Sequence, residues 1–207
     1  MKLLPDELTA FLQFCQNPPI TTSLMSRSEL FESFQLSWRD AAVLVAFIPH
    51  SLHHWQLLLT RRQPYLSAHA GEIAFAGGKV DKGDENMAAA ALRETWEEVG
   101  IAPNVWQIIG SLPLARVPSG FSITPVLAIA ENLPPIQPNQ AEVADVFCVP
   151  LEFILTESNF GVRYFTYRER QMTSPTLCYS GYEIWGITAL MLKHLQECWQ
   201  IWKQQAV

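Results

Sequence analysis

Three glutamates and one arginine stand together in the segment RETWEE, which begins at Arg93. Glu94 and Glu98 are four residues apart and Glu97 lies three residues after Glu94, so on a helix all three carboxylates project from one side. Like charges at these spacings destabilise an isolated helix by roughly 0.2–0.5 kcal/mol per pair, a cost that a bound divalent cation reverses. Oxygen ligands favour Mg²⁺ or Mn²⁺ over zinc. The segment is therefore either a solvated acidic helix face or a cation site.

Residues before this segment favour the cation site. The pair Gly77-Gly78 marks a point where the backbone turns or lets another group approach closely. Glu85 lies eight residues before Arg93, and this arginine can hold carboxylates by charge-assisted hydrogen bonds and so orient them. The alanine-rich stretch from Glu85 to Val99, followed by a glycine, predicts the helix that presents these side chains.

The composition limits the classes of protein to which the chain can belong. Its 207 residues fit one domain, and 49% hydrophobic against 16% charged residues provide enough apolar volume for a core. The chain has 20 acidic and 14 basic residues, and its formal net charge of −6 is the wrong sign for a surface that neutralises many phosphates. We therefore expect a small-molecule substrate, which can itself be anionic, and no nucleic-acid partner.

The sequence predicts neither export nor membrane insertion. Pro5, Asp6 and Glu7 stand where a signal peptide needs an unbroken apolar segment. The longest apolar run, residues 41–49, is far shorter than the ~20 residues that span a bilayer. Four cysteines without metal-ligand spacing indicate buried thiols in a reducing compartment. We expect a cytoplasmic protein with no membrane partner, and a homodimer is one candidate for its oligomeric state.

Hydrophobic patterns predict a single α/β domain. An acidic first turn followed by an apolar stripe predicts a helix within an N-terminal extension, residues 1–37, and periodic apolar residues predict a C-terminal helix within residues 186–207, packed on the domain. Mixed strands between helices imply one layered fold. Strands are predicted at 41–48 and 55–60, which form a hairpin, and at 72–75, 106–112, 122–130, 143–149, 162–166 and 182–185, with a surface loop at 131–140 and a short helix at 150–155.

The segment from Gly78 to Ile101 resembles the signature of Nudix hydrolases, G-x5-E-x7-R-E-U-x-E-E-x-G-U, in which U is an apolar residue. Two positions depart from the pattern, because six residues separate Gly78 from Glu85 and Thr95 takes the first apolar position. The second half of the signature is otherwise complete. The matching residues are Gly78, Glu85, Arg93, Glu94, Glu97, Glu98, Gly100 and Ile101.

This resemblance carries expectations for fold, cofactor and chemistry. It implies a Nudix-type α/β/α sandwich with a mixed sheet, which we place at residues 38–195. The implied ligands of Mg²⁺ or Mn²⁺ are Glu94, Glu97 and Glu98, and the implied reaction is attack of water on a diphosphate. We expect Arg93 to act in catalysis by orienting the carboxylates. Glu97 and Glu142 are both candidates for the general base, although Glu142 also fits a solvated residue before a strand.

A second resemblance, upstream of the helix, narrows the substrate. It is a similarity to the LLTxR…GxVxFPGGxxD motif of the coenzyme A diphosphatase subfamily, which also has the longer spacing to Glu85. Ala76 stands where that subfamily usually has proline. With later segments at 120–126, 142–151 and 184–189, the similarity covers about residues 40–195. The upstream residues that carry it are Leu58, Leu59, Thr60, Arg61, Leu66, His69, Gly71, Glu72, Phe75, Gly77, Gly78, Lys79, Val80 and Asp81.

Five residues of this region form the predicted substrate-binding set. Arg61 at a strand end and His69 in the following loop are placed to meet the diphosphate or the 3′-phosphate of coenzyme A. Gly77, Gly78 and Lys79 complete the set, and Lys79 would offset diphosphate charge. Lys79 fits an ordinary surface role equally well, and the arginine after Arg61 fits an exposed position.

Together the resemblances imply metal-dependent hydrolysis of coenzyme A or acyl-coenzyme A to 4′-phosphopantetheine, or its acyl form, and adenosine 3′,5′-bisphosphate. Two other functions stay open. One is the same chemistry on another nucleoside diphosphate derivative, such as a dinucleotide or ADP-ribose. The other is a nucleotide-binding Nudix module without catalysis. The complete acidic set beside Arg93 argues against the module, since binding alone does not need so many ligands.

Overall fold

The computed structural model describes residues 2–33, 37–51, 53–67, 69–132 and 135–205. The helices within these ranges are α1 (Pro5–Gln16), α2 (Ser23–Glu32), α3 (Met87–Val99), α4 (Leu151–Ile154) and α5 (Gly186–Gln205). The strands are β1 (Arg39–Ser51), β2 (His54–Arg62), β3 (Ile73–Ala74), β4 (Gly77–Lys79), β5 (Trp106–Ser111), β6 (Ala115–Val117), β7 (Phe121–Ala130), β8 (Val143–Pro150), β9 (Phe160–Tyr167), β10 (Arg170–Tyr179) and β11 (Tyr182–Ile184).

Strand β1 lies at the centre of the larger sheet. It pairs in parallel with β7 and antiparallel with β2 and β4. Strands β3 and β8 pair with β2, and strands β5 and β6 pair with β7. A separate antiparallel sheet has the order β11-β10-β9. The larger sheet is therefore mixed, as the sequence predicted.

Alternate residues of β1 face two separate hydrophobic cores. Val45 and Phe47 belong to the core that contains residues of α1 and α5, whereas Ala42, Leu44 and Ile48 belong to the core that contains residues of α3. Successive side chains of a strand point to opposite faces of a sheet, so helices cover β1 on both sides. The predicted α/β/α arrangement is confirmed.

Helix α3 begins at Met87, two residues later than predicted, because Asn86 is its N-cap. The Asn86 side chain accepts a hydrogen bond from the backbone N–H of Ala89 at 2.9 Å. At the other end Gly100, with φ of 72°, takes the left-handed conformation that ends many helices. The fully buried Ala90 lies on the face that packs against the sheet. Caps at both ends therefore fix where the helix presents its glutamates.

The glycine pair lies in a strand and not in a turn. Gly77 pairs with Val43 of β1, and Gly78 pairs with Ala42. A Cβ atom on Gly78 would lie 2.5–2.6 Å from the carboxylate atoms of Glu94, far inside van der Waals contact. Of the two alternatives for the glycine pair, the structure shows the close approach and not the turn. Only a residue without a side chain lets strand β4 lie against this glutamate.

Helix α2 and strands β6 and β10 are not among the predicted elements, because their sequences lack a regular apolar pattern. In β10 the side chains of Ser174 and Leu177 are buried and Pro175 lies between them. Proline and a buried hydroxyl both weaken the period-two signal of a strand. Pairing with β9 on one side and β11 on the other nevertheless forms the strand.

The terminal helices share a core with the larger sheet. The ring centroid of Phe11 in α1 lies 5.3 Å from that of Trp199 and 5.7 Å from that of Trp202, both in α5. These contacts confirm both predicted helices, whereas the boundaries 1–37, 38–195 and 186–207 remain a prediction. Among the described residues, no helix combines the length and hydropathy that crossing a bilayer requires.

The cysteines only partly match the expectation of buried thiols. Cys15 and Cys198 are buried, Cys148 is partly buried and Cys178 is exposed. Cys178 lies on β10, in which buried and exposed residues do not alternate regularly. The apolar pattern did not predict β10, so the exposure of Cys178 could not be expected from the sequence.

Replacing Asn86 by Ala should lower the free energy of unfolding by about 1 kcal/mol, because the N–H of Ala89 loses its acceptor. Asn86→Asp keeps an acceptor oxygen and serves as the matched control. Denaturant unfolding of the metal-free variants measures the difference. Equal stability of Asn86→Ala and the wild-type protein would contradict the capping role.

Candidate active site

Arg93 holds the helix glutamates and the preceding loop together. Its Nε and Nη2 atoms donate to the two carboxylate oxygens of Asp84, each at 3.0 Å. Its Nη1 atom donates to Glu94 at 2.9 Å and to Glu97 at 3.1 Å. Nη2 also donates to the backbone carbonyl of Lys79 at 3.1 Å. One guanidinium therefore fixes α3, strand β4 and the loop between them.

Asp84 is a site residue that the sequence analysis did not single out. Its Oδ2 atom accepts the backbone N–H of Asp81 at 2.8 Å in addition to the bond from Arg93. The hydrogen bond from Arg93 holds the pKa of Asp84 below its usual value of 3.8, so this carboxylate stays ionised at neutral pH. The signal in the sequence is a short turn with aspartates three residues apart. Glu85, which the signature emphasises, is exposed.

Glu98 is the most deeply buried of the three helix glutamates, with a side chain that is 4% exposed. Burial raises its pKa from the usual 4.5 to about 8, and the negative charges of Glu94 and Glu142 act in the same direction. Its Oε1 atom lies 3.5 Å from Nη1 of Arg62. Its Oε2 atom has no hydrogen-bond partner among the described residues. A buried carboxylate oxygen without a partner is costly, and a cation would satisfy it.

Glu94 and Glu97 lie progressively closer to solvent. Glu94 is half-buried against Gly78, and burial raises its pKa above the usual value although the hydrogen bond from Arg93 opposes this. Glu97 has a side chain that is 55% exposed. The predicted placement of three carboxylates along one helix side is thus found, with a gradient from buried to exposed.

The chemistry of the helix carboxylates fits a divalent cation, although their side chains are not arranged around a common point. Within the described ranges, no group of three His, Cys, Asp or Glu side chains is arranged to hold a metal ion. Arg93 bonds Glu94 and Glu97 instead. All the candidate ligand atoms are oxygens, as Mg²⁺ and Mn²⁺ prefer. The Oε2 atom of Glu98 has no hydrogen-bond partner among the described residues, so a cation could bind it without breaking a hydrogen bond. The residues present therefore suit Mg²⁺ or Mn²⁺.

The two arginines at the end of β2 face opposite sides of the sheet. Arg62 lies against Glu98, whereas Cζ of Arg61 lies 5.9 Å from the ring centroid of Tyr182 on β11. When the motif LLTxR is counted from Leu58, its arginine falls on Arg62, and Arg61 takes the variable position. Arg62 is thus a second site residue absent from the predicted set. The role of Arg61 stays a prediction.

The other predicted substrate-binding residues divide into two groups. Gly77 and Gly78 lie behind the helix carboxylates, and Lys79 reaches Arg93 through its backbone carbonyl while its side chain is exposed. His69 is exposed on the loop after β2, where its Nδ1 atom lies 2.7 Å from Oε2 of Glu72. The structure brings the first group to α3 and pairs His69 within its own loop. Their contacts with substrate stay predictions.

Comparison with known proteins finds similar sequences and similar structures. The family model of the NUDIX domain matches residues 38–168, which is more than half of the 207 residues. An uncharacterized Nudix hydrolase named NudL from Pectobacterium atrosepticum is 40% identical over 163 residues, covering 76% of this chain and 81% of the relative. NudL from Yersinia pestis is 37% identical over 168 residues, covering 79% and 81%. The Nudix hydrolase RenU from M. smegmatis superposes with a TM-score of 0.48 at 24% identity, covering 56% of this chain and 73% of RenU.

The chain belongs to the Nudix family. It is a hydrolase that acts on the diphosphate bond of a nucleoside diphosphate derivative. Nudix hydrolases generally use divalent cations such as Mg²⁺ or Mn²⁺, which suits the oxygen donors on α3.

Glu98→Gln should stabilise the metal-free protein at alkaline pH while lowering kcat at least ~100-fold. Unfolded Glu98 ionises near 4.5 and folded Glu98 near 8, so the folded state binds more protons between these values. For this group, the free energy of unfolding therefore falls as pH rises from about 4.5 to about 8, by at most about 5 kcal/mol. Unfolding at pH 5 and pH 9 in a chelator measures the slope.

Glu97→Gln is the matched control for that experiment, because it removes an equal charge from an exposed position on the same helix. At pH 9, Glu98→Gln should raise the free energy of unfolding and Glu97→Gln should not. A wild-type protein that is equally stable at pH 5 and pH 9, with both variants parallel to it, would show that burial of Glu98 has no energetic consequence.

Proposed function

We propose that this hydrolase cleaves the diphosphate bond of coenzyme A or acyl-coenzyme A. The products are 4′-phosphopantetheine, or its acyl form, and adenosine 3′,5′-bisphosphate. The alternative substrates within the same chemistry are dinucleotides and ADP-ribose. The proposal rests on the segment between Leu58 and Asp81, whose sequence resembles the coenzyme A diphosphatase motif.

The contacts of this segment with α3 support the proposal. Arg62 at the end of β2 lies against Glu98, and Gly78 in β4 lies against Glu94. The carbonyl of Lys79 accepts a hydrogen bond from Arg93. The segment that resembles the subfamily motif therefore forms one wall of the catalytic site. A motif in this position is suited to select the group attached to the diphosphate.

The three helix glutamates, Glu94, Glu97 and Glu98, would hold the cation. When bound, Mg²⁺ or Mn²⁺ polarises the diphosphate oxygens and makes water more acidic. Arg93 orients Glu94 and Glu97 through its hydrogen bonds. Asp84 holds the guanidinium of Arg93 in place from the opposite side. Charge that develops on the diphosphate would thus meet groups that are already oriented.

A carboxylate must accept a proton from the attacking water, and Glu97 and Glu142 are both suited to do so. Glu97 is exposed at the outer end of the helix set. Glu142 is exposed immediately before β8, and its negative charge acts on both Glu94 and Glu98. The two candidates approach the site from different elements, so substitution of each can distinguish them.

The enzyme should prefer coenzyme A over dephospho-coenzyme A, and Arg61→Ala should remove that preference. A charge-assisted contact with the 3′-phosphate contributes roughly 1.5–3 kcal/mol, which corresponds to about 10–150-fold in kcat/KM. Arg62→Ala is the matched control on the opposite face of β2. It should lower kcat/KM for both substrates by a similar factor, because Arg62 contacts Glu98.

The measurement is a substrate panel of both coenzymes, NADH and ADP-ribose at one metal and salt concentration, with products identified by mass spectrometry. Equal rates with and without the 3′-phosphate, or a similar preference for a dinucleotide, would contradict the proposed substrate. If Arg62→Ala removes the preference and Arg61→Ala does not, the 3′-phosphate is bound by Arg62.

A further inference from the structure

The loop before β8 is bonded to the end of the metal-binding helix. The backbone N–H of Gln137 donates to the carbonyl of Val99 at 2.8 Å, and that of Asn139 donates to the carbonyl of Glu98 at 2.9 Å. These are carbonyls of the last helical turn, which have no partner within the helix. The sequence predicted only a surface loop here, whereas the hydrogen bonds of Gln137 and Asn139 attach residues 137–142 to the helix that carries the site.

The opposite side of this loop is bonded to Gln63, the residue after β2. The backbone N–H of Gln63 donates to the carbonyl of Glu142 at 2.8 Å. Its side-chain Nε2 atom donates to the carbonyl of Gln140 at 2.8 Å and to that of Val143 at 3.3 Å. Three hydrogen bonds from a single residue therefore hold the backbone on both sides of Glu142.

Tyr65 adds a second attachment two residues further on. Its hydroxyl lies 3.2 Å from the carbonyl of Gln140 and 3.2 Å from that of Ala141. Its side chain is otherwise turned to solvent, and the residue is 68% exposed. Burial does not explain the position of this ring. Its contact with the loop does.

Glu142 lies between the hydrogen bonds that join the loop to α3 and those that join it to Gln63. The backbone N–H of Glu142 donates to the carbonyl of Asn139 at 3.0 Å, and Asn139 in turn donates to the carbonyl of Glu98, so the exposed Glu142 lies beside the end of α3 that carries the site. The ladder between β2 and β8 is irregular at the same point, because Arg61 pairs with Asp145 and Arg62 pairs with Val143. Such a bulge changes the direction of the residues next to it.

We propose that Gln63 and Tyr65 are positioning residues that hold Glu142 at the catalytic site. The inference rests on the proposed function in one respect, namely that Glu142 takes part in the hydrolysis. An exposed glutamate on an unrestrained loop would sample many positions, whereas catalysis needs a carboxylate held to within about 0.5 Å. Gln63 directly follows the arginine of the substrate motif, so the same segment contacts Glu98 and fixes Glu142.

The test is a double-mutant cycle on the diphosphate substrate that the wild-type protein hydrolyses fastest. Gln63→Ala should lower kcat about 10-fold with little change in KM, and Tyr65→Phe should lower it less. Adding Gln63→Ala to Glu142→Gln should cause little further loss, because both changes remove the same positioned carboxylate. Gln171→Ala, at an exposed glutamine of β10, is the matched control and should keep full activity.

Hydrogen exchange gives a readout that does not depend on activity. In Gln63→Ala the amides of residues 139–143 should exchange at least several-fold faster than in the wild-type protein, at an unchanged thermal midpoint. The proposal is overturned if Gln63→Ala leaves kcat unchanged, if its effect multiplies fully with that of Glu142→Gln, or if Glu142→Gln itself is fully active. Inactivity toward coenzyme A with activity on another diphosphate would refute the proposed substrate alone.

Discussion

Crowding of carboxylates against a single guanidinium is the constraint on which the site depends. Arg93 lies within 3.1 Å of oxygens of Asp84, Glu94 and Glu97, and 3.8 Å from Asp81. One positive charge cannot neutralise so many acidic groups, and Arg93 does not bond the most deeply buried carboxylate, that of Glu98, which lies 3.5 Å from Arg62 instead. Burial is the main cause of the raised pKa of Glu98, the charges of Glu94 and Glu142 add to it, and a divalent cation would oppose both.

The fold maintains this unfavourable arrangement by fixing the backbone around it. The parallel pairing of β1 with β7 and the packing of α3 on β1 set the position of the helix. Strand β4 then lies close enough to contact Glu94 only because position 78 is glycine. The loop 137–142 caps the C-terminal end of α3 by donating two backbone hydrogen bonds to the carbonyls of its last turn. The strand pairing and the hydrogen bonds of the loop to α3 are made by backbone atoms, so they do not depend on the charged side chains of the site.

The sequence predicted the parts of this site that follow a local rule. The spacing of Glu94, Glu97 and Glu98 placed them on one side of a helix, and the structure agrees. Asp84 was missed because its role depends on the position of Arg93, which local spacing does not determine. Arg62 was left out of the predicted set because the arginine of the LLTxR motif was assigned to the preceding residue. Strand β10 was missed because it forms by pairing with β9 and β11, and its own sequence has no regular apolar pattern.

The proposed binding of a divalent cation by the helix carboxylates requires Glu98 to lose its proton. Calorimetric titration of the metal-free protein with Mn²⁺, in buffers of different ionisation enthalpy, counts the protons released. With a pKa of about 8, Glu98 is mostly protonated at pH 7, so binding should release about one proton at pH 7 and almost none above pH 9. Binding without proton release at pH 7, or equal release from Glu98→Gln, would show that Glu98 is not a ligand of the cation.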